Sequence, residues 1–99
     1  MNQAFLQRVD DTVNLSGFLS YDNVDTVYQQ GEQLIQQAQQ LTFDLSAVER
    51  SDMAGVALLV EWLRLAKRTG KSVLLQNIPS QGKHIIQVSG LASILAEQQ

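Results

Sequence analysis

The chain has 99 residues, 44% hydrophobic and 17% charged, with a net charge of −3; a chain of this size and composition is expected to form one folded domain over residues 1–99 rather than a disordered segment. It has no cysteine and a single histidine, His84, which argues against disulfides, thiolate chemistry and the common metal centres and leaves no cofactor implied. The acidic balance argues against nucleic acid, and the longest apolar run, Ala54 to Val60, falls far short of the roughly 20 residues that cross a membrane.

The N-terminal MNQAFLQRVDD lacks the basic start and apolar stretch of a secretory signal, so a cytoplasmic protein is expected. Phe5, Gln7 and Val9, then Thr12 to Leu19, read as two strands of a hairpin around Asp10-Asp11. From Asp22 onward Val24, Val27, Tyr28, Gly31, Leu34, Ile35 and Ala38 follow the spacing of an amphipathic helix capped by Asp22 or Ser20, with glutamines on its wet face.

Leu41, Phe43 and Leu45 alternate as a strand, AVERSD reads as a turn, and a second helix is predicted from about Met53 to Thr69, stopped by Gly70. Ser72 to Gln76 reads as a buried strand, Pro79 opens a short helix through His84 to Val88, and Leu91 to Ala96 forms a last helical turn. The order ββαβαβα implies an α/β fold with a small, mixed, partly parallel sheet and right-handed crossovers.

The charges are uneven. Residues 1–50 carry two basic against seven acidic side chains, and residues 51–99 carry five against three. The basic cluster Arg64, Lys67, Arg68 and Lys71 falls at the end of the second helix, where cations complement the helix dipole, so it reads as a solvated face. His84 lies beside Ile85 and Ile86 with no nucleophile or base paired to it, and no phosphate-cradling glycine loop is present, so the sequence shows no enzyme site.

Two features stand out as candidate binding surfaces. In the second helix Val56, Leu59, Val60, Leu63 and Ala66 form one apolar side, and Leu58, Trp62 and Leu65 widen it beyond a single core stripe. These three either pack under a neighbouring helix or form a partner-facing patch anchored by the sole tryptophan. The second feature is the turn Arg50-Ser51-Asp52-Met53-Ala54-Gly55. It joins a strand to a helix N-terminus, where α/β folds place working residues, and Asp52 also suits the helix cap.

FDLSAVERSDMAGVALLVEWLRLAKRTGKSVLLQNIP resembles the core of a STAS domain, the fold of anti-sigma factor antagonists and of the cytoplasmic tails of sulfate transporters. The resemblance rests on Asp44-Leu45-Ser46, the Asp-x-x-Gly turn from Asp52 to Gly55, the aliphatic helix Val56 to Leu65, its Lys/Arg-Gly end and the strand beyond. With the N-terminal hairpin and the VSGLASIL ending it covers nearly the whole chain, and it implies the small mixed sheet already read from the elements.

In phosphorylated members of the family the residue just before that glycine is hydroxylic. Here it is Ala54, so the resemblance implies no phosphorylation at the family position, and Ser51 occupies a different place in the turn. A stand-alone STAS chain of this kind is similar to the small cytoplasmic subunits of Mla-type phospholipid ABC transporters, which serve outer-membrane lipid asymmetry. That likeness implies a non-catalytic protein at the inner membrane, held there through the transporter's ATPase subunit within a complex with its permease. Arg50, Ser51, Asp52, Met53, Ala54, Gly55, Leu58 and Trp62 would then be its partner-binding residues. Those subunits commonly carry threonine where Met53 stands, so apolar packing would replace a hydroxyl contact. The other function implied by the family is an anti-sigma factor antagonist that binds a kinase-like anti-sigma factor.

Overall fold

The computed structural model describes residues 3–80, 83 and 84. Their elements run β1 (Ala4–Val9), β2 (Thr12–Leu19), α1 (Val24–Gln37), β3 (Gln40–Ser51), α2 (Met53–Thr69) and β4 (Ser72–Gln76). The strands lie in the order β1-β2-β3-β4, with β1 antiparallel to β2 and the pairs β2–β3 and β3–β4 parallel. The predicted mixed sheet is therefore observed. Asp10 takes the left-handed backbone (φ 55°) that the primed hairpin turns use, which matches the twist of the two strands it joins.

Two details differ from the sequence reading. The stretch AVERSD is not a turn: β3 continues through it to Ser51. The register between β2 and β3 shifts between Asn14 and Ser16 and again between Gly17 and Phe18, so Ser46 and Ala47 are both exposed before Val48 returns to the core. Two consecutive exposed residues interrupt the alternation that identifies a strand. The cap of α1 is Asn23 rather than Asp22 or Ser20, although the Ser20 carbonyl accepts the N–H groups of Asn23 and Val24 at 3.0 and 3.1 Å.

One face of the sheet carries the core. Val13 and Leu15 of β2, Leu41, Phe43 and Leu45 of β3, and Val73 and Leu75 of β4 pack with Val27 and Ile35 of α1. Each fully buried aliphatic side chain contributes about 1.5–3 kcal/mol of transfer free energy. Leu58, Trp62 and Leu65 belong to the same core, with Leu58 only 4% and Trp62 0% exposed. This corrects their candidacy as partner-binding residues. The apolar arc of α2 is wide because the helix has two neighbours, the sheet below and α1 beside it.

The two helices touch at a notch. Trp62 packs against the backbone of Gly31, where an added Cβ would overlap the indole ring, and its Nε1 donates to the Tyr28 carbonyl at 3.2 Å. At the far end Gly70 adopts φ 70° and Lys71 N–H returns to the Ala66 carbonyl at 2.8 Å, closing α2 with the left-handed cap expected of glycine. Lys67 and Arg68 are exposed in this last turn, while Arg64 pairs with Glu61 at 2.9 Å. Beyond β4, Lys83 N–H bonds to the Pro79 carbonyl at 3.0 Å, a helical turn opened by the proline. The remainder of that helix to Val88, and the one expected over Leu91 to Ala96, lie outside the described residues.

Candidate functional site

Because β2, β3 and both helices run in a β-α-β-α order with parallel strands, the ends of β2 and β3 and the starts of α1 and α2 fall at one edge of the molecule. Asp52 ties them together. Its backbone N–H bonds to the Leu19 carbonyl at 3.1 Å, extending the β2–β3 contact by one residue. One carboxylate oxygen accepts from Gly55 N–H at 3.1 Å, which caps α2, and the other accepts from Tyr21 N–H at 3.1 Å. Asp52 is thus a brace between two loops 31 residues apart, and its charge also suits the positive end of the α2 dipole.

The small residues beside it permit this closeness. Gly55 lies against Ser51 Oγ and Leu19, so that a Cβ there would fall 2.8 Å from Leu19 Cβ and 3.1 Å from the Leu19 carbonyl oxygen. Ser51 is 8% exposed and its hydroxyl donates to the Asp52 carbonyl at 3.3 Å. Ala54 is half-buried, whereas Arg50, Asp52 and Met53 are exposed. Of the eight sequence-predicted residues, Arg50 to Gly55 form this edge, with Ser51 and Gly55 beneath its surface, and Leu58 and Trp62 belong to the core.

A shallow pocket of about 270 Å³ opens here, lined by Phe18, Leu19, Ser20, Arg50, Ser51 and Asp52. Tyr21 at 83% exposure and Met53 at 59% stand at the same edge, two of four large apolar side chains so exposed among the described residues. Side chains of this size and exposure are suited to anchor a partner. Tyr21 escaped the sequence reading, which took Phe18 and Leu19 only as strand residues and Ser20 only as a helix cap. The available signal was an aromatic in the polar turn Ser20-Tyr21-Asp22-Asn23, which neither strand nor helix periodicity explains. The Asp52 carboxylate accepts from two N–H groups, and no group of three or more metal-ligating side chains occurs among the described residues.

The Asp44-Leu45-Ser46 motif has a separate task. Asp44 Oδ1 accepts from Ser46 N–H at 2.9 Å and from Asn77 Nδ2 at 3.0 Å, fixing the irregular part of β3 to the left-handed Asn77 (φ 58°) after β4. The Asn77 amide first, and then the backbone and side chain of Ser46, hold its carboxyl below the usual carboxylate range. A carboxylate with a depressed folded pKa stabilises the fold above its unfolded value of ~3.9, and this contribution disappears as pH falls through the folded value. The thermal midpoint is therefore expected to decline below about pH 4, and less steeply in Asp44→Asn, as followed by circular dichroism. Equal pH slopes for the two proteins would remove this role from Asp44.

A four-stranded mixed sheet with parallel crossovers through α1 and α2, and a braced Asp-x-x-Gly start to α2, define a STAS domain. The chain belongs to the MlaB-type STAS family, whose family model, described as "Mlab, STAS domain", matches residues 3–96. It is 37% identical over 68 residues to the intermembrane phospholipid transport system binding protein MlaB of Escherichia coli strain K12, a match spanning 69% of this chain and 68% of that protein. The MlaB protein of Shigella flexneri matches to the same extent. In fold, the chain is similar to the unphosphorylated anti-sigma factor antagonist SpoIIAA (TM-score 0.70, 21% identity, 92% of this chain and 84% of that one). An anti-sigma factor antagonist from Mycobacterium paratuberculosis is comparably similar (TM-score 0.67, 23% identity, 94% and 81%). No helix among the described residues is long and apolar enough to cross a membrane.

Proposed function

We propose that this chain is a non-catalytic, single-domain subunit of a phospholipid ABC transporter that docks on the ATPase subunit and supports assembly and activity of the complex with its permease. The observation that carries this reading is the exposure of both Tyr21 and Met53 beside the Asp52 brace in a chain 37% identical to MlaB. Such an interface has an apolar centre formed by the two large side chains and a polar rim supplied by Arg50 and Asp52. The protein would be cytoplasmic, reach the inner membrane only through its partner, and serve lipid asymmetry of the outer membrane.

A regulatory reading, in which the same edge binds a kinase-like anti-sigma factor, draws on the fold likeness to SpoIIAA. It lacks a hydroxyl at Ala54, and Ser51 is buried under Gly55. Co-expression with the ATPase subunits of the same organism's ABC transporters distinguishes the two. Stoichiometric recovery of a phospholipid-transporter ATPase is expected, reduced at least tenfold by Met53→Glu and by Tyr21→Ala. Because both side chains are exposed, their thermal midpoints should stay near that of the unaltered protein. Undiminished recovery in both variants would place the interface elsewhere, and recovery of a kinase-like anti-sigma factor without an ATPase would replace this function with the regulatory one.

A further inference from the structure

The other two exposed apolar side chains among the described residues, Phe5 at 60% and Val9 at 53%, both lie on β1, an edge strand of the sheet. Among the described residues no strand pairs with the outer side of β1. Natural edge strands are guarded by proline, bulges or charge. This one, AFLQRV, has neither proline nor bulge, and its single charge, Arg8, is turned to the Asp10 carbonyl by an Nε hydrogen bond of 2.8 Å.

The parity of the hairpin fixes which backbone groups are free. Val9 pairs with Thr12 across a two-residue turn, and Phe18 N–H bonds to the Gln3 carbonyl at 2.8 Å, so the odd-numbered residues of β1 bond inward to β2. The N–H and C=O groups of Ala4, Leu6 and Arg8 consequently face outward. We propose that β1 pairs antiparallel with β1 of a second copy about a two-fold axis at Gln7, joining the two sheets into one.

That register sets Leu6 against Arg8 of the second copy as hydrogen-bonded pairs, and it sets Phe5 opposite Val9 of the second copy, twice. The four-residue spacing of the two exposed apolar residues is what makes the strand complementary to itself. Registers shifted toward the N-terminus place Phe5 opposite Gln7 or opposite itself and leave Val9 outside an apolar pair, and registers shifted toward the turn shorten the seam and carry Phe5 past the end of the facing strand. The aliphatic stem of Arg8 would lie over the half-buried Leu6 of the other copy. A seam of two six-residue strands falls short of the roughly 1,200 Å² typical of stable complexes, so the dimer should be weak and dependent on concentration. Its axis at mid-strand lies on β1, apart from the α2 start, and the inference is independent of the docking proposal.

Sedimentation velocity of the full chain should show monomer giving way to dimer between ~10 µM and ~1 mM. Phe5→Lys with Val9→Lys sets like charges opposite each other and should weaken dimerisation at least tenfold, whereas Phe5→Lys with Val9→Glu sets opposite charges there and should largely retain it. The chain has no cysteine, so Gln7→Cys supplies a clean second readout. The Gln7 pair would be the non-hydrogen-bonded kind, with Cα atoms about 4.5 Å apart, and should oxidise to a disulfide-linked dimer, while Phe5→Cys should not. All substituted side chains are exposed, and an unchanged circular dichroism spectrum checks each fold. Monomer throughout the concentration range, equal association of the two charge variants, or cross-linking of Phe5→Cys as readily as Gln7→Cys would overturn the proposal.

Discussion

Replacing Trp62 by alanine is expected to destabilise the protein by about 3–5 kcal/mol, a large part of what a domain of this size possesses. Three contacts end at once. The indole is fully buried and stacks on Phe43 of β3 with ring centroids 4.4 Å apart and planes at 19°. It fills the notch left by Gly31 in α1, and its Nε1–H satisfies itself on the Tyr28 carbonyl, so a single side chain ties α2 to the sheet and to α1. Trp62→Phe should cost less, about 1–3 kcal/mol, because a ring remains against Phe43 while the indole volume and the hydrogen bond are lost. Urea unfolding followed by circular dichroism measures both. A loss below about 1 kcal/mol for the alanine variant, together with loss of a partner, would return Trp62 to the surface role that the sequence left open.

The choice between those two roles illustrates what a sequence does and does not disclose. Strand and helix alternation, short connections and Gly70 made a small, partly parallel sheet legible, because each of these signals lies in residues close together in the chain. The environment of Trp62 depends on Gly31, a residue that contributes by lacking a side chain, and a notch of that kind has no signature in α2. The second half of β3 was hidden for a related reason: the register shift beside Ser46 and Ala47 imitates the end of a strand. At the candidate site, Asp52 was legible as a helix cap, since Gly55 is only three residues away. Its second bond, to Tyr21, spans 31 residues, and so the exposed tyrosine beside it was not.

The same brace couples stability to the proposed docking at Gly55. Gly55→Val is expected to cost about 2–3 kcal/mol, since the new branch must overlap Ser51 Oγ and Leu19 while valine's better helix propensity returns only a few tenths. The strain is relieved most readily if the first turn of α2 moves away from the ends of β2 and β3. That movement stretches both Asp52 bonds and displaces Met53 relative to Tyr21, so recovery of the ATPase should fall at least tenfold even after correction for the folded fraction. Ser51→Ala removes the nearest obstructing atom. Alone it should cost about 1 kcal/mol through its lost hydrogen bond to the Asp52 carbonyl, and combined with Gly55→Val it should give a total smaller than the sum of the two. Strict additivity in denaturant unfolding would mean that the valine is accommodated without touching Ser51. Recovery of the ATPase at the unaltered level in a destabilised Gly55→Val protein would separate the brace from the interface.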